Sequence, residues 1–516
     1  MALKQLLAAA SLGVFAQALA QQNRTSTGFK GCDALLGAGL EDILVFPEDA
    51  GYQVSVDGYY SSENRRLRPV CIAQPRSTAD ISSLLKTLSQ VSAAGNWDIA
   101  VRSGGHSDYN NNAVNRGVTI DLSHMGNVTL AGPAEPYAWN GTSRITKSVA
   151  RLQPGVRWAN AMAELEPYNL AVTGGRSGHV GAAGLLVSGG ASYHTQQWGL
   201  SCDNVVNYEV VLADGSVVEA NAKENADLFK ALKGGGLNLG IVSRFDLRTY
   251  TVPPNGVYGG LVFMSWSDLE LANAQFLEYA QSSSGSPDHL FHVLQSSAGS
   301  NDLGIMAMAV STDGKTDSKT FRRFKDMTLR GDRRNTQSLG SLSQTIADRG
   351  GSHYIPFTQI LQAEAEILDK VADVFATLQS DFVELEVPVS LNFVSQPFPK
   401  NPATPAGPNI LGLAKSLPAD SILFEARGTL LAADATYEGI VRSKMAQAME
   451  EIRAFSASLP GHSSYLYMNY ANPEQDVIGS YGAENVEFLR KTAAKYDPTG
   501  FFQKRVPGGW KVSRVE

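Results

Sequence analysis

The chain contains 516 residues, of which 43% are hydrophobic, and it carries a formal net charge of −7 at pH 7. The hydrophobic content excludes a disordered chain, and the length predicts two or three domains with sizeable cores. The acidic balance argues against nucleic acid or an anionic membrane as the main partner.

Residues 1–20 have the composition of a secretory signal peptide. Lys4 supplies the positive charge, residues 6–16 form a short apolar stretch, and Ala18-Leu19-Ala20 is typical of a cleavage site. The apolar stretch is too short to span a membrane, which takes about 20 residues. We therefore predict a secreted, extracellular protein with no membrane partner. Sequons for glycosylation occur at Asn23, Asn127 and Asn140.

The three cysteines are too few for a disulfide scaffold and allow one bridge. In the secretory pathway Cys32 and Cys71 can pair across the N-terminal segment, which we place at residues 21–66. Cys202 lies in an apolar stretch and is predicted to be a buried free thiol.

Residues 67–252 alternate helix and strand, which indicates a mixed α/β domain. Ser77 and Asp80 form a capping box that starts a helix, and the apolar residues that follow recur on one helical face. The further elements predicted in this domain are strands at Asp98–Arg102, Val118–Leu122, Asn207–Leu212 and Ile241–Leu247, and a helix at Ala226–Lys233.

The character of the chain changes in residues 253–460, where apolar runs alternate with longer amphipathic helices. We predict a second domain here, a sheet with helices on one face. Its predicted strands are Val257–Met264, Gly304–Val310, Leu385–Phe393 and Ser421–Arg427, and its predicted helices are Asp268–Ser282, Thr358–Leu378 and Tyr437–Ser456. In the C-terminal segment, residues 461–516, we predict a strand at Tyr465–Tyr470 and a helix at Asn485–Lys495.

Several common site motifs are absent. The glycines of residues 234–240 follow a helix rather than a strand and are misspaced for a Rossmann loop. Residues 175–177 lack the final glycine of a serine-hydrolase motif, because position 179 is His179. His289 and His292 are poorly spaced for a shared metal site, so we predict no metal.

The first candidate site is a strand that runs into paired glycines, at residues 101–107 with the sequence V-R-S-G-G-H-S. A tight turn of this kind presents several backbone N–H groups together, which suits an anionic group such as a pyrophosphate. His106 at its tip is either a loop histidine with satisfied hydrogen bonds or a nucleophilic attachment point. The loop sequence alone leaves both readings open.

The second candidate site is a glycine-rich stretch from Gly174 to Gly190. Its many small residues let the backbone approach a flat or phosphorylated ligand closely. A merely flexible loop fits poorly, because Val180 and residues 185–187 interleave apolar side chains as in packed structure.

The ordered set of motifs resembles the FAD-linked oxidases of the vanillyl-alcohol oxidase/p-cresol methylhydroxylase type. The matching motifs are R-S-G-G-H-S, the later G-G-x-S-G-x-V-G-x-x-G stretch, Leu212–Gly215 and Gly240–Ser243. The C-terminal motifs Y-M-N-Y at 467–470 and Y-D-P-T-G-F-F at 496–502 are more similar to the berberine bridge enzyme-like branch. The resemblance covers nearly the whole mature chain.

The resemblance implies an α+β fold with a two-part FAD-binding domain of the p-cresol methylhydroxylase type. Residues 67–252 and the C-terminal segment 461–516 would hold the cofactor. Residues 253–460 would form a substrate-binding domain, an antiparallel sheet covered by helices.

The resemblance also implies covalent FAD. His106 matches the family histidine that bonds to the flavin 8α-methyl group, and Ser177 stands where many relatives attach the flavin a second time through a cysteine. We therefore expect a single covalent attachment. The other positions expected to contact the cofactor are Arg102, Ser103, Gly104, Gly105, Ser107, Gly174, Gly175, Gly178, Val180, Gly181, Gly184, Ile241, Val242 and Asn469.

By the family pattern, Tyr470 is expected to be the catalytic base or substrate anchor, with Tyr467 the next candidate. Their spacing on a strand-like segment predicts that they point to opposite faces unless a bulge intervenes. The alternative for each tyrosine is an amphipathic core residue. Relatives also place polar residues over the flavin, and here Gln396 is favoured over Asn392.

Val180 matches the position that controls oxygen access in relatives, and a valine there resembles the oxygen-reactive members. The expected protein is a monomeric oxidase that transfers a hydride from an alcohol or hemiacetal C–H to flavin and then to O2, giving H2O2. A mono- or oligosaccharide is the leading substrate class. The alternatives are a secondary metabolite, which the serine at Ser177 keeps open, and a flavin-loaded protein without turnover.

Overall fold

The computed structural model describes residues 26–515 except 94, 109–111, 134, 347–349, 399–405 and 419. The predicted signal peptide and the sequon at Asn23 lie outside the described residues. The described part contains three β-sheets with helices packed against them, which confirms the expected α+β class with antiparallel sheets. No helix in this part of the chain has the length and apolar composition needed to span a membrane.

The first sheet has the order β1-β2-β4-β3, and its last three strands run parallel. Its strands are β1 (Leu44–Val45), β2 (Cys71–Ala73), β3 (Ile99–Arg102) and β4 (Val118–Asp121), and its helices are α1 (Lys30–Gly37), α2 (Ala50–Asp57), α3 (Ser62–Arg66) and α4 (Thr78–Gln90). Helix α4 begins at the predicted cap, where the Ser77 hydroxyl accepts from the Asp80 N–H at 3.2 Å. A disulfide joins Cys32 in α1 to Cys71 in β2, which confirms that pairing.

The second sheet is antiparallel, with the order β5-β6-β10-β8-β9 and β7 also paired to β10. Its strands are β5 (Val128–Ala131), β6 (Ile145–Leu152), β7 (Leu170–Ala171), β8 (Val205–Val211), β9 (Val217–Asn221) and β10 (Ile241–Thr251). The helices in this part of the chain are α5 (Trp158–Leu165), α6 (Ala182–Val187), α7 (Thr195–Trp198) and α8 (Ala226–Leu232). Cys202 is buried and free, as predicted.

The third sheet is antiparallel, with the order β14-β11-β13-β12-β17-β18-β16 and β15 paired to β11. Its strands are β11 (Val257–Ser265), β12 (Asp288–Ser296), β13 (Leu303–Ser311), β14 (Leu329–Asp332), β15 (Asn335–Gln337), β16 (His353–Gln362), β17 (Ser390–Phe398) and β18 (Ser421–Leu430). Its helices are α9 (Leu269–Ser282), α10 (Leu339–Thr345), α11 (Ala365–Glu384), α12 (Leu413–Ser416) and α13 (Glu438–Ala457). The long helices bury one face of the sheet, where Leu391 and Phe393 of β17 join the same core as Phe375 of α11.

Three predicted elements are wrong at their bounds or in kind. The predicted helix Thr358–Leu378 begins only at Ala365, because the residues before it belong to the fully buried strand β16. A strand buried on both faces lacks the alternation that separates it from a helix. The predicted strand Leu385–Phe393 begins at Ser390. The predicted strand Tyr465–Tyr470 is an extended segment that ends in a 3₁₀ turn over Met468–Tyr470.

The C-terminal segment returns to the first half of the chain through α14 (Ala483–Tyr496) and α15 (Phe501–Lys504). Phe501 and Phe502 pack in the same core as Ile99 of the first sheet. The C-terminal segment and the region before residue 252 therefore share one hydrophobic core, while the bounds proposed for the domains stay a prediction.

Candidate functional site

A cavity of about 770 Å³ lies where the two glycine-rich segments, the start of β10, the C-terminal segment and the open face of the third sheet meet. This size is within the range of about 300–1,000 Å³ that is usual for small-molecule sites. The predicted site residues that line it are Ser103, Gly104, Gly105, His106, Ser107, Gly175, Ser177, Val180, Gly181, Gly184, Ile241, Val242, Asn392, Tyr467, Asn469 and Tyr470.

The two glycine-rich segments touch each other through Gly104 and Gly181. A Cβ atom on Gly104 would overlap the backbone nitrogen of Gly181, and one on Gly181 would overlap the backbone nitrogen of Gly104. Gly105 has a φ of +69°, which L residues rarely adopt. Glycine is therefore needed here so that two segments far apart in sequence can form one wall.

The His106 ring is held in a stack of three aromatic rings that line the cavity. Tyr60, from the N-terminal segment, stacks on His106 with ring centroids 3.8 Å apart, and Tyr354 of β16 stacks on Tyr60 at 4.4 Å. The Tyr60 N–H donates to the Gly105 carbonyl at 2.8 Å. The orientation of the imidazole is thus set by the N-terminal segment and the third sheet as well as by its own loop.

The structure places three of the predicted cofactor residues outside the cavity lining. Arg102 is buried, donates to the Ser55 hydroxyl at 3.0 Å and lies 3.6 Å from the Asp121 carboxylate, so it ties β3 to α2. Gly174 packs against the Trp158 ring, and the Gly178 N–H donates to the Ser343 carbonyl at 2.8 Å. These three residues contact neighbouring protein groups behind the cavity wall and so help to hold the wall in place.

Strand β17 brings Asn392, rather than the favoured Gln396, to the cavity. Asn392 lines the cavity opposite Arg427 of β18. Gln396 is fully buried, lies beyond the lining, and its Nε2 has no hydrogen-bond partner among the described residues. The alternation of a strand puts both residues on one face, and only the curvature and packing of the sheet separate them.

The open face of the third sheet is apolar on one side and polar on the other. Val293 of β12 pairs with Met306 of β13 and Val394 of β17, and all three line the cavity together with Phe291. The polar side lies towards β18, with cavity residues Ser390, Asn392, Glu425, Arg427 and Thr429.

The charged groups on the polar side form one cluster, in which two carboxylates share a single guanidinium. Arg427 lies 2.7 Å from Glu425 and 3.5 Å from Asp108. Burial lowers the pKa of the Arg427 guanidinium, but the two carboxylates more than offset this, so the pKa stays above its ordinary value. This side therefore carries paired charges rather than a free one.

The two tyrosines of the C-terminal motif lie on the same side, contrary to the strand-based prediction. The 3₁₀ turn brings the rings of Tyr467 and Tyr470 to 5.0 Å, nearly perpendicular. The Tyr467 oxygen accepts from the N–H groups of Gly190 and Ala191 at 3.0 and 2.7 Å, and from Asn469 Nδ2 at 3.1 Å. Burial raises the pKa of Tyr467 above its ordinary value. Tyr467 is therefore held as a hydrogen-bond acceptor.

Tyr470 is the more accessible tyrosine and has a different partner. Its hydroxyl oxygen accepts from Arg176 Nη2 at 2.5 Å. Arg176 lines the cavity, and its Nη1 lies 3.3 Å from His289 Nε2. Its guanidinium also lies over the Phe291 ring at 4.6 Å.

Arg176 and His289 meet Tyr470 in the fold, although neither is among the residues predicted for the site. In the sequence, Arg176 lies in the glycine-rich stretch and in an incomplete serine-hydrolase motif, and His289 belongs to a pair poorly spaced for a metal site. A signal for Arg176 was present, because it is the only Lys, Arg, Asp or Glu between residues 172 and 190. No comparable signal marked His289, since the strand pairing that brings it to Arg176 is a tertiary feature.

The cavity fits the dinucleotide that the resemblance implies. One wall is glycine backbone, and a Cβ atom on Gly184 would meet nothing within 4 Å and point into open space. His106 lies at the wall, in reach of a ligand that lies along it. A flat, phosphorylated molecule is suited to a wall without side chains on one side and an apolar sheet face on the other.

Residues 69–221 match a family described as an FAD binding domain. Over 494 residues the chain is 32% identical to the FAD-dependent monooxygenase drtC of Aspergillus calidoustus, which covers 94% of this chain and 90% of the relative. The solved structure of 6-hydroxy-D-nicotine oxidase from Arthrobacter nicotinovorans has a TM-score of 0.70 at 20% identity, covering 90% of this chain and 96% of that one. Xylooligosaccharide oxidase from Myceliophthora thermophila C1 has a TM-score of 0.69 at 20% identity, covering 93% and 99%.

Proposed function

This chain belongs to the FAD-dependent oxidoreductases, and we propose that it is a berberine bridge enzyme-like, exported oxidase of an alcohol carbon in a largely apolar molecule. When bound, FAD supplies the two-electron acceptor that takes the hydride and passes the electrons to dioxygen, giving H2O2. The apolar side of the cavity, next to Tyr470 and Arg176, is the observation that supports this substrate class.

His106 would carry the covalent link to the flavin. Its ring is stacked and oriented at the cavity wall, beside the glycine backbone that would lie against the cofactor. Ser177 also lines the cavity, but a serine has no thiol and so cannot form the thioether that a second link to the flavin requires. A single attachment, through His106, follows.

The lining favours an apolar substrate over a sugar. Phe291, Val293 and Met306 offer no hydrogen bonds, and a sugar ring placed against them would leave several hydroxyls unsatisfied. Each buried polar group without a partner costs about 1–3 kcal/mol. The secondary-metabolite alternative, such as a phenolic or polyketide alcohol, is therefore the better supported one.

A mono- or oligosaccharide is the second candidate, and one observation favours it. Ser390, Asn392 and Thr429 form a strip of neutral hydrogen-bonding side chains on the polar side of the cavity. A sugar that reaches this strip would find partners for several hydroxyls.

Tyr470 would take the proton of the substrate hydroxyl while the hydride leaves the adjoining carbon. Tyr470 lines the cavity and is half-buried, whereas the oxygen of the buried Tyr467 is enclosed by three N–H donors. Tyr467 would position the segment, and Asn469 would brace it by donating to the Ser188 carbonyl at 3.1 Å. Hydride transfer requires the reacting carbon to be held about 3–3.5 Å from the acceptor, which a rigid wall provides.

Export is supported by two features besides the N-terminal sequence. The Cys32–Cys71 disulfide suits an oxidising compartment. The sequon asparagines Asn127 and Asn140 are both exposed, so both are accessible to glycosylation.

The cofactor proposal is tested by acid precipitation of the purified protein. Wild type and Ser177→Ala should keep yellow flavin in the washed pellet, and His106→Ala should lose it. Covalent flavin in His106→Ala would place the attachment elsewhere, and loss of flavin from Ser177→Ala would contradict a single histidine link.

The substrate proposal is tested with a peroxide-coupled assay on two matched panels, aromatic and polycyclic alcohols against xylobiose, glucose and longer oligosaccharides. We expect turnover in the first panel, with one H2O2 released per alcohol oxidised. Turnover confined to sugars would establish the second candidate instead. Incorporation of labelled oxygen into the product, without peroxide, would show a monooxygenase and refute the oxidase proposal.

A further inference from the structure

Arg176 is a buried cation in the cavity wall that forms no ion pair with a carboxylate of the described residues. It is only 9% exposed, and no Asp or Glu of the described residues forms an ion pair with it. The other arginine of the cavity, Arg427, is half-buried and is paired with Glu425 and Asp108. A buried charge is costly unless an opposite charge or strong hydrogen bonds compensate it.

The partners of Arg176 are instead a phenol, an imidazole and an aromatic ring. Since a guanidinium can only donate, both Tyr470 Oη at 2.5 Å and His289 Nε2 at 3.3 Å must accept. His289 therefore carries its proton on Nδ1 and is uncharged. Burial lowers the pKa of His289 well below its ordinary value, and the charge of Arg176 lowers it further.

We propose that Arg176, oriented by neutral His289, stabilises the phenolate of Tyr470 and so prepares this tyrosine to accept the proton of the substrate hydroxyl. The inference rests on the proposed oxidase function, because it concerns the group that takes the proton in that reaction. The proton passes from the substrate oxygen to the phenolate oxygen, and the electron pair of the adjoining C–H bond leaves with the hydride. Arg176 and His289 act through Tyr470 and are positioning residues.

The geometry explains why His289 is a suitable orienting partner. A carboxylate at that position would neutralise the guanidinium and weaken its effect on Tyr470, whereas a neutral acceptor fixes its direction and leaves its charge intact. The Phe291 ring on the guanidinium face adds a cation–π contact. Among these contacts, Tyr470 is the one that can take up a compensating negative charge as a phenolate.

The other ionisable groups near Tyr470 do not compete for this role. Tyr467 is adjacent but enclosed by its own donors. Among the residues that the structure describes, the remaining ionisable groups of the cavity lining are Tyr60, His106, Asp108, Tyr354, Glu425 and Arg427. Among them Asp108, Glu425 and Arg427 form one ion-paired cluster, so Arg176 is the cation that faces Tyr470.

The test is a pH titration of phenolate absorbance in the flavin-loaded enzyme, from which the titration of Tyr470→Phe is subtracted to isolate Tyr470. An opposite charge within about 4–6 Å lowers a pKa by about 1–3 pH units, so the wild-type midpoint should lie about that far below the midpoint of Arg176→Gln. Arg157→Gln is the matched control, since Arg157 contacts the His179 carbonyl of the same loop and should leave the midpoint unchanged.

A second pair of variants keeps the test decisive if Arg176→Gln does not fold. His289→Gln retains a neutral acceptor and should keep the low midpoint, whereas His289→Glu adds a carboxylate beside Arg176 and should raise it. An unchanged midpoint in Arg176→Gln, or equal midpoints in the His289 pair, would overturn the inference. The titration uses no substrate, so an absence of peroxide formation would refute the proposed function alone.

Discussion

Tyr467 and Tyr465 offer a matched test of how the C-terminal segment is held in the wall of the site. Both tyrosines are fully buried, and each loses only a hydroxyl on change to phenylalanine. The Tyr467 oxygen accepts from the backbone N–H groups of Gly190 and Ala191. The Tyr465 hydroxyl has no hydrogen-bond partner among the described residues.

The expected cost follows from the groups left without partners. Tyr467→Phe leaves two buried N–H groups without partners, each costing about 1–3 kcal/mol, so we expect a loss of roughly 2–6 kcal/mol. Asn469 adds little to this cost, because its Nδ2 still donates to the Ser188 carbonyl. Tyr465→Phe removes a hydroxyl that is itself unsatisfied, so its stability should equal or exceed that of wild type.

The difference in stability is measured by thermal unfolding of wild type and the two variants, followed by circular dichroism on samples that carry the same amount of bound flavin. A loss of roughly 2–6 kcal/mol corresponds to a drop in Tm of about 4–24 °C, at about 2–4 °C per kcal/mol for domains of 150–250 residues. Equal melting temperatures for the two variants would refute the reasoning, because the variants differ only in the hydrogen bonds that their hydroxyls make.

Gly181→Ala should lower Tm by several degrees and reduce flavin content, because its methyl group overlaps the backbone of Gly104. Gly184→Ala should bind less flavin, but without flavin it should melt at the same temperature as flavin-free wild type, because its methyl group points into open space. Equal thermal stability of the two variants would contradict this account of the glycine contact. Burial holds the pKa of His292 at about 3 in the fold against an ordinary value of 6.5, so stability is full above about pH 6.5 and is lost as the pH falls toward 3. His292→Phe, beside Phe276, should flatten the fall of Tm between pH 7 and 4.5, and a fall as steep as in wild type would show that other groups control it.

Local sequence was sufficient to predict those elements whose signals lie within a few consecutive residues. The capping box at Ser77 and the apolar face that follows specify helix α4 because caps and helical periodicity act within a few residues. The glycine motifs around His106 and Ser177 indicated a cofactor-binding wall for a similar reason. A glycine pair directly after a strand predicts a tight turn with exposed backbone N–H groups, whatever the rest of the chain does. The strand at Thr358–Gln362 was missed because full burial erases the alternation that marks a strand.

The placement of side chains over the cavity required the assembled fold. Asn392 and Gln396 share a strand face, yet only Asn392 lines the cavity, because the packing of neighbouring strands sets where the open face ends. Tyr467 and Tyr470 point to the same side because a 3₁₀ turn replaces the expected strand. No pattern within the segment distinguishes these outcomes.

The amino-acid sequence alone was enough to identify a glycine-walled, FAD-linked oxidoreductase with His106 at the wall, because those features depend on short motifs and their order. The partnership of Arg176, His289 and Tyr470 arises only in the tertiary structure, which joins residues from the glycine-rich loop, a strand of the third sheet and the C-terminal segment. Hydrogen bonds and desolvation act over a few ångströms in space, and the chain separates these residues by 113 and 294 positions. Only the folded chain therefore shows that the charge of Arg176 has no ion-pair partner among the described residues.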